Sequence, residues 1–226
     1  MDPIAHIHTA MSEKFGIPRQ SGIIEELKGC IIFEPEYRDM NAVAGLSEFS
    51  HIWLLWEFEG VKKDKFVPMV RPPRLGGNKK LGVFATRSPF RPNPIGLSCV
   101  KLEKISETKD GPAIYVSGVD LRDNTPIFDI KPYIPYADCK PEAVGGFTAD
   151  TEYRELTIAE GEDLLDVLPD ESDQVAVKKI LINDPRPHYQ DDPERVYGFL
   201  YGGYNIKFRV EGRDVFIVDL ERKQRL

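Results

Sequence analysis

The stretch His51-Ile52-Trp53-Leu54-Leu55-Trp56-Glu57-Phe58 sets the fold class, because it is an aromatic and aliphatic run of strand length. Gly, Pro, Asn or Asp residues bound most of the comparable runs, which lie at residues 29–33, 81–85, 96–102 and 113–119. In residues 1–140, helical periodicity predicts only one short helix, over 41–48. Since the strands lack the spacing of βαβ units, we expect a mainly β fold whose antiparallel sheet closes into a barrel.

The remainder of the chain predicts a second, smaller unit. A helical pattern runs from Glu162 to Asn183, and Pro169 must split it because a mid-helix proline removes a hydrogen bond. Alternating runs then predict three strands of a small sheet, the last two joined by a tight turn over 211–214. The expected organisation is a barrel domain over 1–140, an acidic linker over 141–161 and a small α+β domain over 162–226.

Composition excludes several classes of protein. With 41% hydrophobic and 10% aromatic residues among 226, the chain is not intrinsically disordered. The apolar run 52–56 is far too short for a membrane span, and the N-terminus lacks the pattern of a secretory signal. Three separated cysteines and four histidines without ligand spacing argue against a disulfide scaffold and a metal site. We expect a reduced, cytoplasmic protein without a metal.

The charge distribution is strongly asymmetric. The chain carries a net charge of −7, yet residues 61–104 carry +9 and residues 142–195 carry −10. A concentrated basic segment can bind a polyanion even in an acidic protein, because phosphates respond to the local field. Alternatively, the two sets of charges interleave on the folded surface and cancel.

Loops rich in arginine and proline are the strongest candidates for function. Arg87–Gly96 contains three prolines and two arginines, and prolines lower the entropy that is lost when a loop is ordered. Stiffly held guanidinium groups suit a carboxylate, a phosphate or a base, although they could also cap carbonyl groups in a purely structural turn. Val70–Asn78 and Gly16–Gly22 have a similar composition.

A fourth stretch, Ser117–Pro126, continues to Asp129 and supplies three aspartates after a predicted strand. A carboxylate there could bind a ribose hydroxyl, and the alternative is an Asx-type turn closed by Asp123-Asn124. The chain contains no GxGxxG fingerprint, no P-loop and no GxSxG elbow, so a Rossmann dinucleotide fold and a P-loop fold are disfavoured.

Taken together, the motifs resemble the TsaA-like family, in particular its bacterial TrmO (YaeB) type of tRNA methyltransferase. The resemblance is dense over residues 4–136 and weaker through Asp184–Tyr189. The residues that carry it are Pro18-Arg19-Gln20, Phe49–Trp53, Val70–Gly77, Gly82–Gly96, Asp120-Leu121 with Thr125-Pro126, and Asp129–Tyr133.

The resemblance implies a homodimeric enzyme that uses S-adenosylmethionine, with the cofactor near the subunit interface. It implies methylation of N6 in tRNA that carries N6-threonylcarbamoyladenosine beside the anticodon. By position, Arg71, Arg74 and Arg91 would face tRNA phosphates. The residues implied to contact the cofactor are Pro18, Arg19, Gln20, His51, Ile52, Arg87, Leu97, Ser117, Gly118, Val119 and Asp120.

Methyl transfer from a sulfonium requires mainly that donor and acceptor be positioned, so no metal is needed. The N6 acceptor is a poor nucleophile and becomes competent as its proton leaves, which calls for a general base. Asp129, with Lys131 and Tyr133 nearby, is the candidate catalytic group. Anticodon bases are single-stranded and stack on aromatic side chains, for which Phe90 and Tyr133 are candidates.

Two other functions stay open from the sequence. One is an RNA-binding module that uses no cofactor, and tight binding of S-adenosylmethionine would count against it. The other is a methyltransferase for a different acceptor, such as a small molecule or a protein. A steep dependence of binding on salt would favour tRNA over these acceptors.

Overall fold

The computed structural model describes residues 2–61, 66–72, 79–149, 155–187 and 192–223. The regular elements of the first part of the chain are mainly strands. Its elements are β1 (Ala5–Thr9), β2 (Lys28–Phe33), β3 (His51–Glu57), β4 (Met69–Val70), β5 (Leu81–Gly82), β6 (Ile95–Thr108), β7 (Gly111–Ser117), β8 (Thr125–Pro132) and the short helix α1 (Pro135–Asp138). The second part contains β9 (Thr157–Glu160), α2 (Glu171–Ile182), β10 (Tyr197–Tyr201), β11 (Tyr204–Glu211) and β12 (Asp214–Arg222).

Six strands close into a barrel in the order β1-β2-β7-β6-β3-β8, and every neighbouring pair is antiparallel. The predicted mainly β fold is thereby confirmed. In β3, Ile52, Leu54 and Trp56 point into the barrel core, while His51, Trp53 and Leu55 alternate onto the outer face. Burial of the inward row stabilises the barrel and leaves the outer row free for other contacts.

The barrel opens locally where β6 and β7 separate. Pairing between these strands begins at Lys101 and Ser117, so residues 95–100 extend beyond β7 along β3. The backbone N–H of Cys99 on this segment donates to Ser21 Oγ at 3.0 Å. The loop after β1 therefore covers the edge of β6 and brings the Pro18–Ser21 segment beside it.

A second sheet has the order β10-β11-β12-β9. The predicted tight turn is confirmed, since β11 and β12 are joined by Gly212 and Arg213, with Gly212 at φ +61°. β9 lies within the segment predicted to be an acidic linker, and it pairs with β12 in parallel. Its four residues contain a single half-buried isoleucine, Ile158, and so short an edge strand gives almost no sequence signal.

The helical predictions have mixed outcomes. Pro169 separates a 3₁₀ helix, Glu162–Val167, from α2, as expected. The predicted helix over 41–48 is instead two 3₁₀ turns, because Gly45 adopts φ +80° between them. The predicted strand over 81–85 ends after Gly82, since the Val83 carbonyl accepts hydrogen bonds from both the backbone and the hydroxyl of Thr86.

The second sheet packs against the loop that follows β1. Phe15 stacks with Tyr197 and Phe208 at ring distances of 6.3 and 6.5 Å. Leu200 N donates to Glu13 Oε1 at 2.8 Å, and Gly202 N donates to the Ala10 carbonyl at 2.9 Å. The C-terminal unit therefore fixes the segment that leads directly into Pro18-Arg19-Gln20.

Candidate active site

The outer face of β8, β3 and β6 carries several of the predicted site residues, including Asp129, Lys131, His51 and Leu97. Asp129 on β8 is opposite Leu55 on β3, and Leu55 is opposite Leu97 on β6. Because neighbouring strands lie about 4.8 Å apart, Asp129 and Leu97 are separated by roughly 10 Å across the face. Leu97 is 51% exposed, which is unusual for a leucine in a barrel strand. The predicted catalytic residue Asp129 and the predicted cofactor residue Leu97 thus share one surface.

Asp129 and Lys131 form an ion pair on this face, with 2.8 Å between Asp129 Oδ2 and Lys131 Nζ. Asp129 Oδ1 accepts a hydrogen bond from the backbone N–H of Ile130 at 2.9 Å. Both side chains are partly exposed, so the carboxylate keeps lone pairs available toward solvent. The arrangement can accept a proton and also offers a cation beside it.

Tyr133 closes one end of the face. Its backbone N–H donates to the His51 carbonyl at 3.0 Å, and its ring lies 5.8 Å from that of Trp53. Desolvation, followed by the nearby side chains of Cys139, Cys99 and Asp138, raises the pKa of Tyr133. The Tyr133 hydroxyl therefore remains a hydrogen-bond donor at neutral pH.

His51 lies on the outer face and is half-buried. Its Nδ1 lies 2.9 Å from Ser50 Oγ, and its ring packs edge-on against Tyr133 at 6.2 Å. The neighbouring Trp53 donates its indole N–H to Asp138 Oδ2 at 3.0 Å. These contacts hold the aromatic groups in fixed positions around the face.

Beside residues 95–100 of β6, where β7 no longer pairs with this strand, a polar group gathers around Asp120. Arg87 donates to Gln20 Oε1, and Ser98 Oγ donates to Asp120 Oδ1 at 2.6 Å. Burial raises the pKa of the Asp120 carboxyl from 3.8 to about 6, opposed by Ser98, the backbone N–H groups of Asp120 and Ser21, and the charge of Arg87. The structure thus brings together Gln20, Arg87 and Asp120, three of the residues that the resemblance implied for the cofactor site.

Other predicted residues lie behind this group. Pro18 is half-buried and Arg19 is exposed in the loop before Gln20. Ser117 Oγ donates to Glu103 Oε1 at 2.6 Å, and Gly118, at φ +73°, accepts from Gly22 N at 2.8 Å. The hydrogen bond from Gly22 to Gly118 ties the end of the Gln20–Gly22 loop to the chain after β7.

Two of the predicted cofactor residues face the barrel core. Ile52 is fully buried, and Val119 lies close to the position that a Cβ on Gly29 would occupy. Their side chains do not reach the outer face, so any part they take in a ligand site comes from backbone groups. For Ile52, strand alternation explains the inward orientation, because its neighbours His51 and Trp53 point outward.

The aspartates after β7 divide between the two expected roles. Asp120 belongs to the polar group, whereas Asp123 Oδ1 accepts from Thr9 N at 3.1 Å and contacts His8 Nδ1 at 3.2 Å. Asn124 follows at φ +63°, as a turn residue. The ligand interpretation therefore fits Asp120 and the turn interpretation fits Asp123-Asn124.

The residues predicted to contact tRNA have different surroundings. Arg71 is exposed, Phe90 is 57% exposed, and Arg74 lies outside the described residues. Arg91 instead donates to the carbonyls of Val83 and Thr86 at 3.2 and 2.7 Å. Its guanidinium therefore stabilises its own loop, which is the structural alternative that the sequence left open.

Sequence reasoning missed Ser98 and Trp56. Trp56 Nε1 donates to Ser98 Oγ at 3.0 Å inside the barrel, directly beneath Asp120. The sequence does mark Ser98 as unusual, because alternation along 96–102 places this polar residue in an inward row that is otherwise apolar. Its partner could not be identified without the register of the strands.

Within the described part of the chain, no group of three or more His, Cys, Asp or Glu side chains is arranged to hold a metal ion. No described helix is long and apolar enough to cross a membrane. The three cysteines are free thiols.

Family models match both parts of the chain. Residues 6–139 match the tRNA-methyltransferase O N-terminal domain, and residues 165–223 match the TrmO C-terminal domain. A tRNA (adenine(37)-N6)-methyltransferase of Escherichia coli is 37% identical over 227 residues, covering 96% of this chain and 97% of that protein. A putative S-adenosylmethionine-dependent methyltransferase of Pseudomonas aeruginosa is 39% identical over 205 residues, with 88% and 87% coverage.

Solved structures agree with the sequence relatives. The crystal structure of TrmO from Pseudomonas aeruginosa superimposes with a TM-score of 0.77 at 30% identity, covering 98% of this chain and 95% of that one. The agreement extends over the barrel and the C-terminal sheet alike. From the matches to both domains and to a relative along almost its whole length, the chain belongs to the tRNA-methyltransferase O family of enzymes.

Proposed function

We propose that the chain transfers a methyl group from S-adenosylmethionine to N6 of adenine 37 in tRNA, where that adenine carries a threonylcarbamoyl group. The observation that carries the proposal is the match to the Escherichia coli tRNA (adenine(37)-N6)-methyltransferase over 96% of this chain. A relative whose name includes dependence on S-adenosylmethionine supports the choice of cofactor. The threonylcarbamoyl substrate follows from the resemblance of the motifs.

The polar group at the β6 edge fits the chemistry of this cofactor. Asp120 is a hydrogen-bond acceptor suited to a ribose hydroxyl, and Arg87 is a cation suited to the carboxylate of the methionine moiety. The exposed Leu97 offers an apolar surface for the adenine ring. When bound, the cofactor supplies a methyl carbon activated by a sulfonium, which leaves as a neutral thioether.

The outer face then supplies what the acceptor needs. The N6 lone pair would form the new bond to the methyl carbon as the carbon–sulfur bond breaks, and the N6 proton would pass to the Asp129 carboxylate, which lies 2.8 Å from Lys131 Nζ. Lys131 also offers a positive charge to the carboxylate of the threonyl group. Tyr133, fixed beside Trp53, provides a surface on which the base can stack.

A second copy of the chain would complete the site. Phe66 and Phe84 stack at 6.2 Å, while Ile95 and Leu97 alternate onto the outer face of β6. All four side chains are exposed, and an apolar surface of this kind is typical of an interface. We include the homodimer in the proposal, together with a catalytic unit over 1–140 and a cytoplasmic location, where tRNA is found and cysteines stay reduced.

Labelled S-adenosylmethionine and purified tRNA test the proposal. We expect label in nucleosides only when the tRNA carries the threonylcarbamoyl group, and none in the same tRNA without it. Binding of the cofactor without transfer to either tRNA would contradict the proposed acceptor. Equal transfer to both tRNAs would contradict the threonylcarbamoyl requirement.

A further inference from the structure

Ser98 is a hydroxyl buried in the wall of the barrel. Its side chain belongs to the inward row of β6, and the residue is 0% exposed. It makes two short hydrogen bonds, from Trp56 Nε1 at 3.0 Å and to Asp120 Oδ1 at 2.6 Å. Burying a hydroxyl without hydrogen-bond partners costs free energy. Here the Ser98 hydroxyl both accepts a hydrogen bond and donates one.

The direction of each proton in this chain of hydrogen bonds is fixed by chemistry. An indole N–H can only donate, so Ser98 Oγ must be the acceptor of the Trp56 bond. The Ser98 proton is then directed to Asp120, whose oxygen accepts it. Asp120 is consequently held as an acceptor, with lone pairs left over on the carboxylate for a further donor.

The indole itself cannot shift. A Cβ on Gly96 would lie only 2.2 Å from the Trp56 ring, so the indole fills the space that a side chain would take. Phe58 packs on the indole with ring centroids 4.2 Å apart. Trp56 is therefore a rigid anchor for the hydroxyl of Ser98.

We propose that Ser98 is a positioning residue that orients the Asp120 carboxylate to accept a hydroxyl of the ribose of S-adenosylmethionine. The inference rests on the proposed function, because it takes the cofactor from there. It adds a residue that does not touch the ligand and acts through Asp120. The chemistry of the recognised group is a ribose diol, whose hydroxyls donate to carboxylates.

Ser98 also influences the protonation of Asp120. The groups that act on the carboxyl are the hydroxyl of Ser98 on β6, the backbone N–H groups of Ser21 and Asp120, and the cationic Arg87. The Ser98 hydrogen bond favours the ionised form, so its loss raises the pKa of Asp120 further. When the pH is lowered, a variant that lacks the hydroxyl should therefore begin to lose affinity for the cofactor at a higher pH than the wild type does.

The test measures the dissociation constant of S-adenosylmethionine by calorimetry across a pH series. We expect Ser98→Ala to weaken binding about tenfold at neutral pH, with the drop in affinity on acidification moved to higher pH. Ser98→Thr keeps the hydroxyl and should restore most of the affinity. Ser106→Ala, on the same strand but outside the site, is the matched control and should bind like the wild type.

A second readout does not depend on the cofactor. The indole N–H resonance of Trp56 in the wild type should shift as Asp120 titrates, and that shift should disappear in Ser98→Ala. The proposal is overturned if the variant keeps both the wild-type affinity profile and the wild-type resonance titration. A wild type that fails to bind S-adenosylmethionine, with the resonance still titrating through Ser98, would contradict the proposed function and leave the hydrogen-bond relay intact.

Discussion

At the scale of single residues, Asp120 shows that a carboxyl proposed to bind the cofactor lowers the stability of the fold. Its carboxyl is largely buried, and burial raises its pKa to about 6. An acid whose pKa is raised on folding stabilises the protein below the pKa of the unfolded chain, near 4, and this contribution is lost as the pH rises through 6. At neutral pH the ionised carboxylate therefore destabilises the fold.

Replacing Asp120 with asparagine should remove that penalty. At neutral pH, we expect the free energy of unfolding of Asp120→Asn to be up to about 3 kcal/mol higher than that of the wild type. Near pH 4, where the wild-type carboxyl is protonated in the folded protein, we expect the difference to vanish. Urea unfolding at the two pH values measures it. A variant that is less stable than the wild type at neutral pH would show that the carboxylate is stabilising instead.

Asp129 should act on the chemical step alone. Asp129→Asn keeps the size of the side chain but removes the carboxylate proposed to take the N6 proton, so kcat should fall about 100-fold while cofactor affinity stays unchanged. Single-turnover methylation and calorimetry separate the two effects. Asp110→Asn, at a distant exposed ion pair with Arg38, is the control. Full turnover by Asp129→Asn would remove this residue from the mechanism.

Gly96 makes room for the indole of Trp56, which gives a sharp steric prediction. Because an added methyl would lie 2.2 Å from the ring, Gly96→Ala should lower the free energy of unfolding by about 2 kcal/mol and weaken cofactor binding. Gly82→Ala is the control, since nothing lies within 4 Å of its position. Wild-type stability in Gly96→Ala would mean that the indole can move aside.

At the scale of elements, the two proline-rich loops, 70–78 and 87–96, hold arginines in different surroundings. Arg71 is exposed, whereas Arg91 donates to two carbonyls of its own loop. Arg71→Ala should reduce the slope of log affinity for tRNA against log salt by about 0.7 to 0.9, the value for one phosphate contact. Arg91→Ala should lower affinity with little change in slope. The opposite pattern would assign the phosphate contact to Arg91.

The sequence predicted elements best where one face of a strand is buried. Alternation along β3 and β6 identified the barrel strands because side chains must divide between core and surface. It failed for β9, a four-residue edge strand whose partner β12 is distant in sequence. It also failed at 81–85, where hydrogen bonds to the Val83 carbonyl turn an apolar segment into a 3₁₀ turn.

For the whole molecule, the C-terminal sheet supports the loop that carries Gln20. Gly16 adopts φ +94°, and a Cβ there would lie 2.9 Å from the ring of Phe199. Gly16→Ala should therefore displace the loop and weaken binding of S-adenosylmethionine about tenfold. Gly212→Ala also places a side chain at positive φ, +61°, but has open space around it, and should bind normally. Equal binding by both variants would refute this role of the sheet.

Predicting the complete site required the tertiary fold. The motifs identified Gln20, Arg87 and Asp120 individually, and the structure shows that they meet at the edge of β6. The bond between Ser98 and Asp120 could not be predicted, because it depends on where β6 separates from β7. Sequence patterns identify polar and charged residues in positions where folding alone does not require them. Strand register then decides which of these residues become neighbours.

The outer face of the barrel is proposed to methylate N6 of threonylcarbamoyladenosine in tRNA. Mass spectrometry of nucleosides, after incubation of the wild-type protein with tRNA and S-adenosylmethionine, tests it most directly. We expect the threonylcarbamoyladenosine peak to be replaced by one heavier by a single methylene, with fragmentation locating the methyl on N6. A methyl group on another nucleoside, or an unchanged profile with cofactor bound, would contradict the claim.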